Sequence, residues 1–245
     1  MAALGMTVLL SMPQFAMSEG GTTYQITITN LTAGQPFTPP VLLTHSKQTG
    51  IFGVGQSSSA EIQAIAENGN NTPLLMALGD DVHVHQVVSG MAPILPANDP
   101  GATGFASSVT FEITAHGRAK FLSFASMLIC TNDGFTGLDS TRLPTRSKTV
   151  YSVAYDARSE INTEDFANMV PPCQGLIGVS SDDAGTGMSD PSLIEDGIII
   201  PHVGVIGGAD LLPGVHSWTD PVAKIEIRRV RHNDSDSDSD SESDD

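Results

Sequence analysis

Positive charge is scarce in this sequence: 11 lysines and arginines stand against 28 aspartates and glutamates, for a formal net charge of −17. An acidic surface repels nucleic-acid phosphate and anionic lipid and attracts cations, so no nucleic-acid partner is expected. Seven of the acids crowd into the end of the chain (Asp234, Asp236, Asp238, Asp240, Glu242, Asp244 and Asp245), and the remainder is still acidic without them. Long apolar runs are missing too. Nothing approaches the ~20 consecutive apolar residues of a membrane-spanning helix, and no transmembrane segment is expected.

Cysteine is almost absent. Cys130 and Cys173 are the only two, and their spacing matches neither a zinc site nor a haem attachment site. In an exported protein such a pair favours one intramolecular disulfide; two separate buried thiols is the alternative reading. Hydrolase signatures are lacking as well. Gly55-Gln56-Ser57 and Gly178-Val179-Ser180 both miss the second glycine of a nucleophile elbow, and no H-E-x-x-H occurs. An enzyme is therefore not expected.

What is present begins with a charge-free stretch, 1–18, containing Ala2-Ala3-Leu4-Gly5-Met6-Thr7-Val8-Leu9-Leu10 and ending in Ala16-Met17-Ser18. Small residues at 16 and 18 suit signal-peptidase cleavage. The segment reads as a truncated signal segment without its basic start, which implies a secreted, periplasmic or cell-surface protein. A buried N-terminal strand is the other reading. The tail, 232–245, alternates serine and aspartate, has nothing apolar to bury, and is expected to be disordered.

Between these ends, 22–231, period-2 patterns dominate. Tyr24, Ile26 and Ile28 alternate with polar neighbours, as do Val109, Phe111 and Ile113, and Ala223, Ile225 and Ile227. Residues 41–45, 150–155 and 198–206 are further strands, and 121–129 is apolar on both faces, as a central strand would be. One helix is expected over 58–68, where Ser58 and Glu61 form a capping box and Gly69 supplies the stop. Few helices among many strands point to an antiparallel sandwich.

Oxygen-rich loops are the strongest chemical signal. Thr131-Asn132-Asp133-Gly134 follows one strand and Asp156-x-x-x-Glu160 another. Carboxylates at neighbouring strand ends could converge on a hard cation such as Ca²⁺, which takes 6–8 oxygens. Asp182, Asp183 and Asp190 form a further acidic loop. Each of these segments also reads as an ordinary turn. His83 and His85, two apart on a strand, would face the same side as a metal pair but lack a third ligand.

Four segments in order are similar to the spondin-N family. They are the helix segment 58–69, the loop Cys130-Thr131-Asn132-Asp133-Gly134-Phe135, the motif Tyr155-Asp156-Ala157-Arg158-Ser159-Glu160, and the closing Trp218-Thr219-Asp220-Pro221-Val222-Ala223. The resemblance implies an all-β, eight-stranded antiparallel β-sandwich, C2-like, with one short helix. It also implies a bound calcium ligated by Asp133, Asp156 and Glu160, and a role in extracellular binding or adhesion with a protein or glycan ligand. A structural surface protein is the alternative. Arg158, Ser159 and Glu160 stand where the family more often has glycine, threonine and aspartate, and the proline before the loop aspartate is absent.

Overall fold

The computed structural model describes residues 21–231; the expected signal segment, 1–18, and the tail, 232–245, lie outside the described residues. Tyr24, Ile26 and Ile28 bury one face of β1 (Thr22–Asn30). The same alternation buries Phe111 and Ile113 of β4 (Ser108–Ala115), and Ile225 and Ile227 of β10 (Ala223–Arg229). With β7 (Ser147–Ser152) these strands form a four-stranded antiparallel sheet in the order β4-β1-β10-β7. Its outer face is polar: Thr27 meets Thr110 at 2.7 Å, and Thr29 meets Ser108 at 3.0 Å.

A second antiparallel sheet lies opposite, in the order β3-β2-β5-β6-β8-β9. It comprises β2 (Val41–His45), β3 (Val84–Ser89), β5 (Phe121–Met127), β6 (Gly134–Arg142), β8 (Ala154–Asp156) and β9 (Ile200–Pro201). This sheet is covered on both faces. Leu42, Leu122 and Phe124 pack toward β1, β4 and β10 in the core between the sheets. Val41, Leu43, Ala125, Met127 and Phe135 pack the other way, under α1 (Ala60–Asn68), α2 (Thr72–Gly79) and the loops beyond. Burial on two faces explains why β2 and β5 are buried almost continuously and do not alternate between apolar and exposed positions.

Helix α1 falls where expected, but its cap is Ser59, whose side chain accepts from the Ile62 N–H at 3.4 Å. Ser58 Oγ instead donates to the Ala157 carbonyl at 3.2 Å, tying the helix start to the strand end that carries Asp156. Gly69 stops the helix in the left-handed region at φ 62°.

The architecture differs from the expectation in number. The sheets hold ten strands among the described residues, against eight expected, and α2 joins α1, with the short α3 (Pro172–Leu176) and α4 (Pro213–His216) besides. The stretch read as one strand over 150–155 is two. It breaks at Val153, and β7 pairs with β10 while β8 pairs with β6, so the chain crosses from one sheet to the other. Of 198–206, only Ile200 and Pro201 pair, against β8. No helix among the described residues is long and apolar enough to cross a membrane.

Candidate functional site

The turn from β5 into β6 is built by its own side chains. Thr131 Oγ1 donates to the Leu128 carbonyl at 2.7 Å and accepts from the Gly134 N–H at 2.9 Å. A Cβ on Gly134 would lie 2.5 Å from that same hydroxyl, so only glycine fits the closure. The adjoining Cys130 is bonded to Cys173 on α3, with 5.1 Å between their Cα atoms. The bridge expected for these cysteines is formed, and it anchors α3 beneath the turn.

This arrangement projects Asp133 into the interior, where it is wholly buried. Gly134 pairs with Asp156 across β6 and β8, which brings the two aspartates to the same end of the sheet. Asp133 Oδ2 accepts from the backbone N–H groups of Ser159 at 2.7 Å and Glu160 at 3.0 Å. Asp133 Oδ1 is buried and has no hydrogen-bond partner. Burial, and then the charge of Asp156, push the Asp133 carboxyl up to about 7. Asp156 accepts from the Arg158 N–H at 2.8 Å and from Asn162 Nδ2 at 2.9 Å.

Arg158, the positive charge that sequence places beside these carboxylates, turns away from them. Its backbone occupies the left-handed region at φ 54°, and its guanidinium pairs with Glu195 at 2.7 Å. Glu160 also divides its groups. Its N–H serves Asp133, but its carboxylate accepts from the Asp190 N–H at 2.7 Å. Burial raises Glu160 to about 7, and the charges of Glu67 and Asp190 add to the effect. The structure thus joins Asp133 with Asp156 and directs the Glu160 carboxylate toward the 190–192 loop.

A histidine that the sequence reading did not single out completes the site. His202 is buried, with its ring centre 5.0 Å from that of Trp218. Its Nδ1 accepts from the Gly204 N–H at 3.0 Å, so the proton of the neutral ring is on Nε2, which has no partner. Burial holds its pKa down, against the opposing pull of Asp156, Glu164 and Asp220. Asp156 therefore acts on both unsatisfied groups, the Asp133 oxygen and the His202 ring. Only the strand leading into 202 was legible; the register that sets His202 beside Asp156 was not.

Glu164 secures the loop that follows His202. Its carboxylate accepts from the N–H groups of Ile206 at 2.5 Å and of Gly207 and Gly208 at 2.6 Å each. A separate acidic group begins at the next residue: Asp165, Asp183 and Asp210 bring one oxygen each within 4.8 Å of one another. Asp165 accepts from the Ala167 N–H and Asp210 from the Phe166 N–H, so both also act as turn caps. Of the acidic loop read from sequence, Asp183 belongs to this group, while Asp190 caps Ser192.

No protein-family model matches the chain, and no curated protein matches it.

Proposed function

We propose that the chain is a secreted calcium-binding β-sandwich of the spondin-N type, C2-like in shape, serving as an extracellular binding or adhesion module. One observation carries the reading: a wholly buried aspartate, Asp133, with an unsatisfied oxygen, beside the carboxylate of Asp156. Two like charges in a poorly solvated site repel unless a proton or a cation lies between them. The free donors are carboxylate oxygens, which suit a hard divalent ion. Asp133 and Asp156 would hold the ion, and water or main-chain oxygen would fill the remaining positions. Glu160 is the third ligand in the family resemblance; with its carboxylate committed to Asp190, its backbone N–H fixes the orientation of Asp133. The disulfide accords with an oxidising compartment. The occupant of the binding surface would be an extracellular protein or glycan.

Calorimetric titration of the metal-free protein with Ca²⁺ near neutral pH tests the site. A single binding event is expected, lost in Asp156→Ala and retained in Glu160→Gln. Titrations in which Asp156→Ala binds as the unaltered chain does would remove the basis of the proposal.

A further inference from the structure

His83 lies in the turn just before β3 and His85 is the second residue of that strand, a pair that the sequence alone leaves without a third ligand. The turn from β4 into β5 supplies one. The His116 ring lies with its centre 6.1 Å from that of His85, the planes inclined by 35°. All three histidines line one depression of about 370 Å³, together with Ser46 and Arg118. Two imidazoles on one ion at ~2.0–2.1 Å from each nitrogen put their ring centres roughly 5–6 Å apart. The observed separation is close to that value.

The tautomer of His85 is fixed by its neighbours. Thr114 Oγ1 donates to Gln86 Oε1 at 2.5 Å, so its proton is committed. The same hydroxyl, 3.3 Å from His85 Nε2, must therefore accept, which places the imidazole proton on Nε2 and leaves the lone pair on Nδ1. This is how a metal-binding histidine is oriented by a group behind it. Partial burial, and then His116, lower the pKa of His85, favouring the neutral ligand form.

We propose that His85, His116 and His83 form a site for a borderline transition-metal ion of the Zn²⁺ class, independent of the carboxylate site around Asp133. An imidazole donor set selects Zn²⁺, Cu²⁺ or Ni²⁺ over the oxygen-seeking Ca²⁺ and Mg²⁺. Among the described residues, the trio of ligand atoms already within 4.8 Å of one another is the aspartate group, so at least one of the exposed histidines must rotate its side chain to close on the ion. Arg118 is the opposing charge in the depression. It lies on an exposed turn, where its long stem can carry the guanidinium into water. Asp81, which accepts from the His83 N–H at 2.8 Å, places a negative charge beside it.

The test is titration of the full chain with Zn²⁺ in the presence of excess Ca²⁺, which occupies the carboxylates. It is paired with the absorption spectrum of bound Co²⁺ as a report of nitrogen coordination. His85→Ala and His116→Ala should each weaken Zn²⁺ binding about tenfold or more and abolish the Co²⁺ bands. Asp156→Ala should change neither. The three histidines are largely exposed, so the melting temperatures of the variants should lie within about 2 °C of that of the unaltered chain. Zn²⁺ affinity and Co²⁺ bands that survive the double variant His85→Ala/His116→Ala would overturn the assignment.

Discussion

Replacing Cys130 and Cys173 together by alanine lowers unfolding stability by about 4 kcal/mol. The bridge closes a segment with a sequence separation of 43. The chain-entropy relation assigns about 4 kcal/mol to a loop of that size, because the cross-link removes conformations from the unfolded chain. In a domain of this length each kcal/mol moves the melting temperature by ~2–4 °C, so a drop of roughly 8–16 °C is expected. The consequence reaches the carboxylate site. Cys130 leads directly into the Thr131–Gly134 turn, and α3 is held beneath that turn by the bond. Calcium affinity should therefore fall in the double variant, even at temperatures where it remains folded. Denaturant unfolding of the oxidised chain and the double variant checks the first effect; titration with Ca²⁺ checks the second.

A loss of about 3–5 kcal/mol is expected for Phe124→Ala, the usual range for deleting a buried aromatic ring. Phe124 sits at the centre of β5, between Leu42 of β2 and Leu138 of β6, and is wholly buried in the core between the two sheets. The cavity left there is walled by strands of both sheets, which cannot close in without disturbing their pairing. Met91→Ala provides the contrast: that side chain is 97% exposed, and its removal should stay within about 0.5 kcal/mol. Equal destabilisation by the two substitutions would mean that the facing sheets do not share a close-packed core.

The four-stranded sheet was the most legible part of the fold, because it has one wet face. Water on one side forces polar residues into alternate positions, and β1, β4 and β10 carry that pattern openly. β6 was not legible. Its sequence, Gly134-Phe135-Thr136-Gly137-Leu138-Asp139, has no alternation, since it is covered on both faces and Gly137 lets the strand pass close to the Phe124 carbonyl. Helix α2 escaped for a different reason: it is short, eight residues, and Asn71 at the cap position before it makes no side-chain cap.

Chemistry was legible as residue type and not as direction. Asp133 and Asp156 follow strands, and pairing brings them together as spacing suggested. Glu160 occupies the expected place in the chain, yet the turn around Arg158 sends its carboxylate to Asp190. Nothing local in the sequence specifies that rotation. His202 lies distant from Asp156 in sequence and comes near it through the β8–β9 pairing. Long-range register of this kind comes from packing, and a single sequence does not display it.

The central claim is that a cation relieves the buried carboxylates. In metal-free protein, Asp133 and Glu160 are both raised, from 3.8 and 4.5 respectively, to about 7. The folded state then binds protons more tightly than the unfolded chain, so their contribution to stability is greatest below pH ~4 and is lost as pH rises toward 7. On the proposed reading calcium would compete with the proton at Asp133, and its effect should grow over the same interval. Thermal melts of the full chain from pH 5 to pH 8, with Ca²⁺ and with chelator, measure this directly. At 100 times the dissociation constant the ion contributes ~2.7 kcal/mol, or roughly 5–10 °C for a domain of this size. The account predicts that separation between the two curves at pH 8, a smaller one at pH 5, and none in Asp156→Ala. Coincident curves at pH 8 for protein stripped of metal would contradict it.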